Sequence, residues 1–160
     1  PNGSGSLHVY ADDGVVVSSR TYNLTADGAT LGQAIPGLGA GDMARPGEVW
    51  VLDRLKSSED FRCNLGFAEY TGAGARVTVA LYGTAGSQQR FLGSKTYAVP
   101  AYGVVQVNRV FSDIGIAGSF EDALAYVIVS SSEGAVSVYA SVVDNGSGDA
   151  TTVLARRLGE

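Results

Sequence analysis

Apolar residues in this chain recur at every second position, and that habit confines most of it to sheets. Phe61, Cys63, Leu65 and Phe67 alternate with Arg62, Asn64 and Gly66. Val77, Val79 and Leu81 alternate with Thr78, Ala80 and Tyr82, and Val136, Val138, Ala140 and Val142 with Ser137, Tyr139 and Ser141. Near the start, Leu7, Val9 and Ala11 alternate with His8 and Tyr10. Successive side chains of a strand point to opposite faces of its sheet, so each run predicts a strand with one buried face. β-Branched and aromatic runs predict further strands over 15–22, 49–55, 93–99, 104–110, 125–130 and 151–154.

Gly, Asp, Asn and Ser clusters separate these strands, about ten in all. Helix signals are scarce: 57–60 and 119–124 each predict one capped turn, and neither is long enough to stand as a helix. The Gly-rich, Pro-containing stretch 26–46 predicts a long surface loop. The fold class expected is all-β, an antiparallel β-sandwich. Residues 1–6 read as a linker, 7–155 as one domain and 156–160 as a C-terminal tail.

A rival architecture comes from faint internal similarity. Turn glycines recur at one interval, at Gly14, Gly74 and Gly134, each expected to close a hairpin-like unit. The stretch 49–57 parallels 104–112, and 23–31 parallels 145–153. A real repeat would point to a three-fold β-prism, a fold whose members often bind sugars.

Composition bounds the partners. Acidic residues outnumber basic ones 16 to 11, and the formal net charge is −5. Displacing counterions from phosphate needs a dense positive face, so nucleic acid is not an expected partner, nor is an anionic membrane surface. No apolar run approaches the roughly 18 residues that span a bilayer, so membrane insertion is not expected. Charged residues make up only 17% of the chain, which leaves Ser, Thr, Asn, Gln, Gly and Tyr to cover the surface. That composition suits an extracellular or cell-surface β-protein. One cysteine, Cys63, permits neither an intrachain disulfide nor a thiolate cluster.

Three segments form a set: Ser19-Arg20-Thr21-Tyr22-Asn23, Gly32-Gln33-Ala34-Ile35-Pro36 and Asp60-Phe61-Arg62-Cys63-Asn64-Leu65-Gly66-Phe67. Val77 to Tyr82, Leu92-Gly93-Ser94, Val105 to Asn108 and Tyr139 to Asp149 continue it. Together they resemble uncharacterised immunoglobulin-like β-sandwich domains of large secreted or surface-attached bacterial proteins. These motifs are structural, so the resemblance implies a domain type and no activity. Cys63 departs from the Thr or Ser that the resemblance implies in that strand, and a small residue still fits an inward position.

Chemistry-bearing residues are few. His8 is the single histidine, so any Ser-His-Asp site must run through it, and no G-x-S-x-G elbow occurs. His8 is expected to face solvent on a terminal strand. Cys63 lies among Phe61, Leu65 and Phe67, where a thiol packs as a small hydrophobe. The acidic doublets Asp12-Asp13, Glu59-Asp60 and Glu121-Asp122 fall at turns, where carboxylates cap backbone N–H groups. Together these features predict a non-enzymatic domain without an obligatory cofactor.

Two speculative sites remain. Asp144, Asn145 and Asp149 place oxygen ligands in a Gly-rich loop that suits calcium, though an Asx-turn explains the same residues. Tyr22, Tyr82 and Tyr139 are expected on outward strand faces, where they would form a glycan-binding platform or simply brace the sheet. Arg20, Arg54, Arg62 and Arg109 are expected to pair with acids or stack on tyrosines. Sequons at Asn2, Asn23 and Asn145 arise readily in polar turns. The function expected is a structural or adhesive module that packs on neighbouring domains or copies of itself. The alternative is a carbohydrate-binding module.

Overall fold

The computed structural model describes residues 5–12, 14–26, 28, 30–85 and 88–159. Asn2, Asp13, Asp27 and the Asn23 side chain, all considered above, lie outside the described residues. Eleven strands are described: β1 (Ser18–Leu24), β2 (Thr30–Pro36), β3 (Val49–Ser57), β4 (Phe61–Glu69), β5 (Ala75–Ala85), β6 (Gln88–Val99), β7 (Val104–Val107), β8 (Phe120–Val129), β9 (Val136–Asp144), β10 (Ala150–Leu154) and β11 (Arg156–Arg157). One short helix, α1 (Val110–Ile114), and a 3-10 turn at Ala40–Asp42 complete the set. Among the described residues, no helix is long and apolar enough to cross a membrane.

Two antiparallel sheets make the sandwich, ordered β10-β9-β4-β7 and β11-β3-β8-β5-β6. The predicted alternation sets the inner faces. Cys63, Leu65 and Phe67 lie buried beside Val138, Ala140 and Val142 on the four-stranded sheet. Val77, Val79 and Leu81 face them from the five-stranded sheet, with Ala125, Val127 and Leu52. Each large aliphatic side chain so buried contributes roughly 1.5–3 kcal/mol of transfer free energy. The Phe67 and Tyr97 rings stack at 5.6 Å and link the two layers.

Two packed layers replace the three-fold alternative. Gly74 and Gly134 both take positive φ, at 73° and 95°, but they join β4 to β5 and β8 to β9, strands of opposite sheets rather than of one hairpin. Gly134 also sits against the Gly74 carbonyl, where an added Cβ would approach within 2.3 Å. Gly14 lies in exposed chain outside any strand.

Other expectations are corrected. The Leu7–Ala11 segment forms no strand, because no sheet edge receives it: Leu7 is 86% exposed and Val9 51%. The strand expected over 15–22 starts only at Ser18 and runs to Leu24. The loop expected over 26–46 contains β2, which pairs with β1 along its whole length. The turn expected over 119–124 is the start of β8, held between β3 and β5, so pairing on both sides overrides the local capping signals. At 57–60 the chain makes a tight turn that carries it from β3 in one sheet to β4 in the other, closed by the Ser58 N–H donating to the Phe61 carbonyl at 2.8 Å. The strand expected over 104–110 stops at Val107, and α1 follows. Arg156 and Arg157, expected in a tail, pair with Val51 and Trp50 of β3.

The first two strands form a separate two-stranded sheet. This hairpin, with the extended chain before it, is an arm that meets the sandwich in few places. Gln33 Oε1 accepts from Thr152 Oγ1 at 2.7 Å, and the His8 ring stacks on Tyr70 at 6.0 Å.

Candidate functional site

A cleft of about 920 Å³ opens between the sheets, where β10 stands opposite β3. Its floor is apolar, from Phe61, Val142 and Val153, and its rim mixes Asp53, Asp144 and Asp149 with Arg54, Lys56 and Arg156. The rim charges largely satisfy one another. Asp53 takes Arg156 Nη2 at 2.8 Å and Arg54 Nε at 3.4 Å. Lys56 reaches Glu121 at 3.6 Å and lies 4.6 Å above the Phe61 ring. Arg54 adopts left-handed backbone, φ 55°, where the β3–β8 register shifts, and that kink turns the 53–54 pair toward the cleft mouth.

The structure brings Asp144 and Asp149 to this rim and engages both in the β9–β10 turn. Asp144 Oδ1 accepts from the Ser147 and Gly146 N–H groups at 2.8 Å each, which holds its carboxyl below the ordinary value. Asp149 Oδ1 accepts from the Ala150 N–H. Asn145 points elsewhere: its oxygen takes Arg62 at 2.7 Å and its amide donates to the Glu59 carbonyl. One carboxylate oxygen each of Asp144 and Asp149 thus closes the turn, while both amide atoms of Asn145 fasten it to the chain around Glu59 and Arg62. Among the described residues, no group of three His, Cys, Asp or Glu could together hold a metal ion.

The three tyrosines are not brought together; they lie on three separate sheets. Tyr22 on β1 is 60% exposed beneath Arg20, whose guanidinium carbon lies 5.6 Å from the ring centre. Tyr139 on β9 faces outward, half-buried across Gly66, where any added Cβ would fall 2.1 Å from the ring. Burial raises its hydroxyl pKa above the ordinary value. Tyr82 on β5 joins a different group: Phe91 of β6 at 5.4 Å and Tyr126 of β8 at 5.3 Å, with interplanar angles of 64° and 83°. Period-two reading places Tyr82 and Tyr139 outward, as they stand, whereas β1, among the described residues, has no buried face for Tyr22 to oppose. It cannot say which strands are neighbours, and that decides whether a row forms.

The group at Tyr82 makes the outer face of the five-stranded sheet apolar. Phe91 is 54% exposed and Ile128 39%, with half-buried Leu124, Tyr82 and Tyr126 around them. Sequence reading missed Phe91, because a register shift beside Tyr82 breaks the alternation of β6, and Tyr126, whose place beside Tyr82 depends on β8 pairing with β5. β6 is also the edge of its sheet, twelve residues long and, among the described residues, paired on one side only.

Buried ionisable groups serve the scaffold. Burial pushes the Cys63 thiol up to about 12. Burial would likewise raise the Glu69 carboxyl, but bonds from the Thr71 hydroxyl and from the N–H groups of Tyr102, Thr71 and Gly72 outweigh it and hold the group at about 2. Glu69 thereby ties the turn after β4 to the turn before β7. His8 lies above this clasp, stacked on Tyr70 and edge-on to Tyr102 at 5.9 Å, rather than on the terminal strand expected for it. The chain matches no family model, no curated protein and no solved structure.

Proposed function

We propose that the chain is a non-enzymatic structural or adhesive module of a secreted or cell-surface protein, and that it acts by packing against neighbouring domains or copies of itself. The observation that carries this reading is the outward apolar face of Phe91, Tyr82, Tyr126 and Ile128 beside an open twelve-residue edge strand. Contiguous apolar surface beside unpaired strand backbone is the chemistry of protein–protein contact. The steep angles between these rings favour that use over stacking flat sugar rings. The secreted setting rests on the low charge content and on the resemblance to bacterial surface domains.

Sedimentation velocity over a rising concentration series tests the reading. Association is expected, weakened by Phe91→Ser; a chain that stays monomeric throughout and binds no neighbouring domain would refute it.

A second reading, carbohydrate binding, draws support from the cleft, whose carboxylates, guanidiniums and Thr151 and Thr152 hydroxyls surround an apolar floor. It predicts glycan binding that disappears in Phe61→Ala, measured by calorimetry.

A further inference from the structure

Two unsatisfied surfaces stand out in the molecule, and they are complementary. The first is the arm, residues 5–36. Leu7, Tyr10, Val15, Val16, Tyr22 and Leu24 are all more than half exposed there. Its strand β1 pairs with β2 on one side and, among the described residues, with nothing on the other. A lone two-stranded hairpin is marginal in water, so this arrangement calls for a further strand or an apolar cover.

The second surface is the β5–β6 hairpin, with the open edge of β6 and the exposed ring of Phe91. Its charge is one-sided: Arg76, Arg90 and Lys95 fall within 75–99, and no acid does. Lys95 is paired with Asp113 at 3.0 Å, whereas Arg76 and Arg90 are exposed and form no ion pair among the described residues. The arm carries the opposite balance, with Asp12, Asp13 and Asp27 against Arg20.

We propose that the arm of one copy docks on the β5–β6 hairpin of a second copy, β1 adding to the open edge of β6 and the arm's apolar side chains covering Phe91. This rests on the association reading above and names its partner and its surfaces. The charges select this pairing over the obvious rival. Two β6 edges meeting each other would bring two basic hairpins together, each with Arg76 and Arg90 outside any ion pair among the described residues, whereas the acidic arm neutralises these guanidiniums.

The contact also has to be made between copies. Within one chain, β2 seats on β10, at one edge of the four-stranded sheet, while β6 is the edge strand of the other sheet at the end away from β3, which stands opposite β10. Arm and hairpin are different patches, so the contact is heterologous and propagates into open chains of copies instead of closing as a symmetric dimer.

Charge reversal on the full chain tests this. Arg76→Glu with Arg90→Glu alters only the hairpin, and Asp12→Arg with Asp13→Arg alters only the arm. By sedimentation velocity the unaltered chain is expected to form an open series of oligomers, and each variant alone to associate about tenfold more weakly or worse. An equimolar mixture of the two variants is expected to recover association, because every contact between unlike variants again joins opposite charges. Circular dichroism checks that both variants keep their sheet content. An unaltered chain that associates while both variants do likewise overturns the arm contact and leaves the association reading standing. A mixture that fails to recover also overturns the arm contact. An unaltered chain that stays monomeric to millimolar concentration overturns self-association together with it.

Discussion

Glu69 is a carboxylate fully excluded from solvent at the end of a core-facing strand, and four donors from two turns converge on it. Its folded pKa of about 2 lies below the ordinary 4.5, so its stabilisation is complete above that ordinary value and is lost as pH falls toward 2. The difference corresponds to about 3 kcal/mol at neutral pH. Glu69→Gln is expected to lower stability by that order in urea titrations at pH 7, and the gap between variant and parent should narrow between pH 4.5 and 2. Cys63 gives a second prediction at this scale: with its thiol raised to about 12, it is expected to resist iodoacetamide at pH 8 until the chain unfolds. Of these two residues only Cys63 was legible in the sequence. Its place in a period-two run fixes which way it faces, whereas the role of Glu69 depends on the distant Tyr102 turn. The parallel between 49–57 and 104–112 also carries real local information. Arg54 and Arg109 occupy matching positions and both take left-handed backbone, at φ 55° and 51°. In β3 the kink is a bulge and the strand resumes; after β7 it starts α1.

Among elements, legibility follows the number of neighbours. β4, β5 and β9 each pair on both sides, and their alternation was read correctly over most of their length. Leu7–Ala11 has the same pattern and no partner, so the pattern alone makes no strand. Helix α1 was missed because five residues carry no periodicity, and a side-chain cluster locates it instead. Asp113 accepts from the Tyr97 hydroxyl at 2.7 Å and from Lys95, so α1 is fastened to the edge strand β6. The Tyr97 bond, together with Lys95, lowers the Asp113 carboxyl, while burial and this same carboxylate raise the Tyr97 phenol. Asp113→Asn is expected to cost about 1 kcal/mol at neutral pH, allowing for screening at a partly exposed site. Because the folded pKa is depressed, that cost should disappear as pH falls below the ordinary carboxylate range, which thermal melts at two pH values would reveal.

At the scale of the whole molecule, the described chain divides into parts of unequal stability. The sandwich closes a continuous core that runs from Ala44 to Val142. Among the described residues, the arm contributes none of the buried core and is held by the stacking of His8 and the bonds to Gln33. Few buried apolar contacts and a ladder open to water mark a region that opens locally well before the rest unfolds. Native-state hydrogen exchange should therefore show the β1–β2 amides exchanging at free energies far below those of β4, β5, β8 and β9. Trypsin offers a coarser version of the same measurement. Arg20 lies in β1, exposed and backed by one strand, whereas Arg62 and Arg76 lie in or beside strands paired on both sides. Cleavage after Arg20 should come first and leave the sandwich folded. Equal protection of Arg20 and Arg76 would mean that the arm belongs to the cooperative unit. If that protection rises with protein concentration, its source is a second copy rather than the chain's own sandwich.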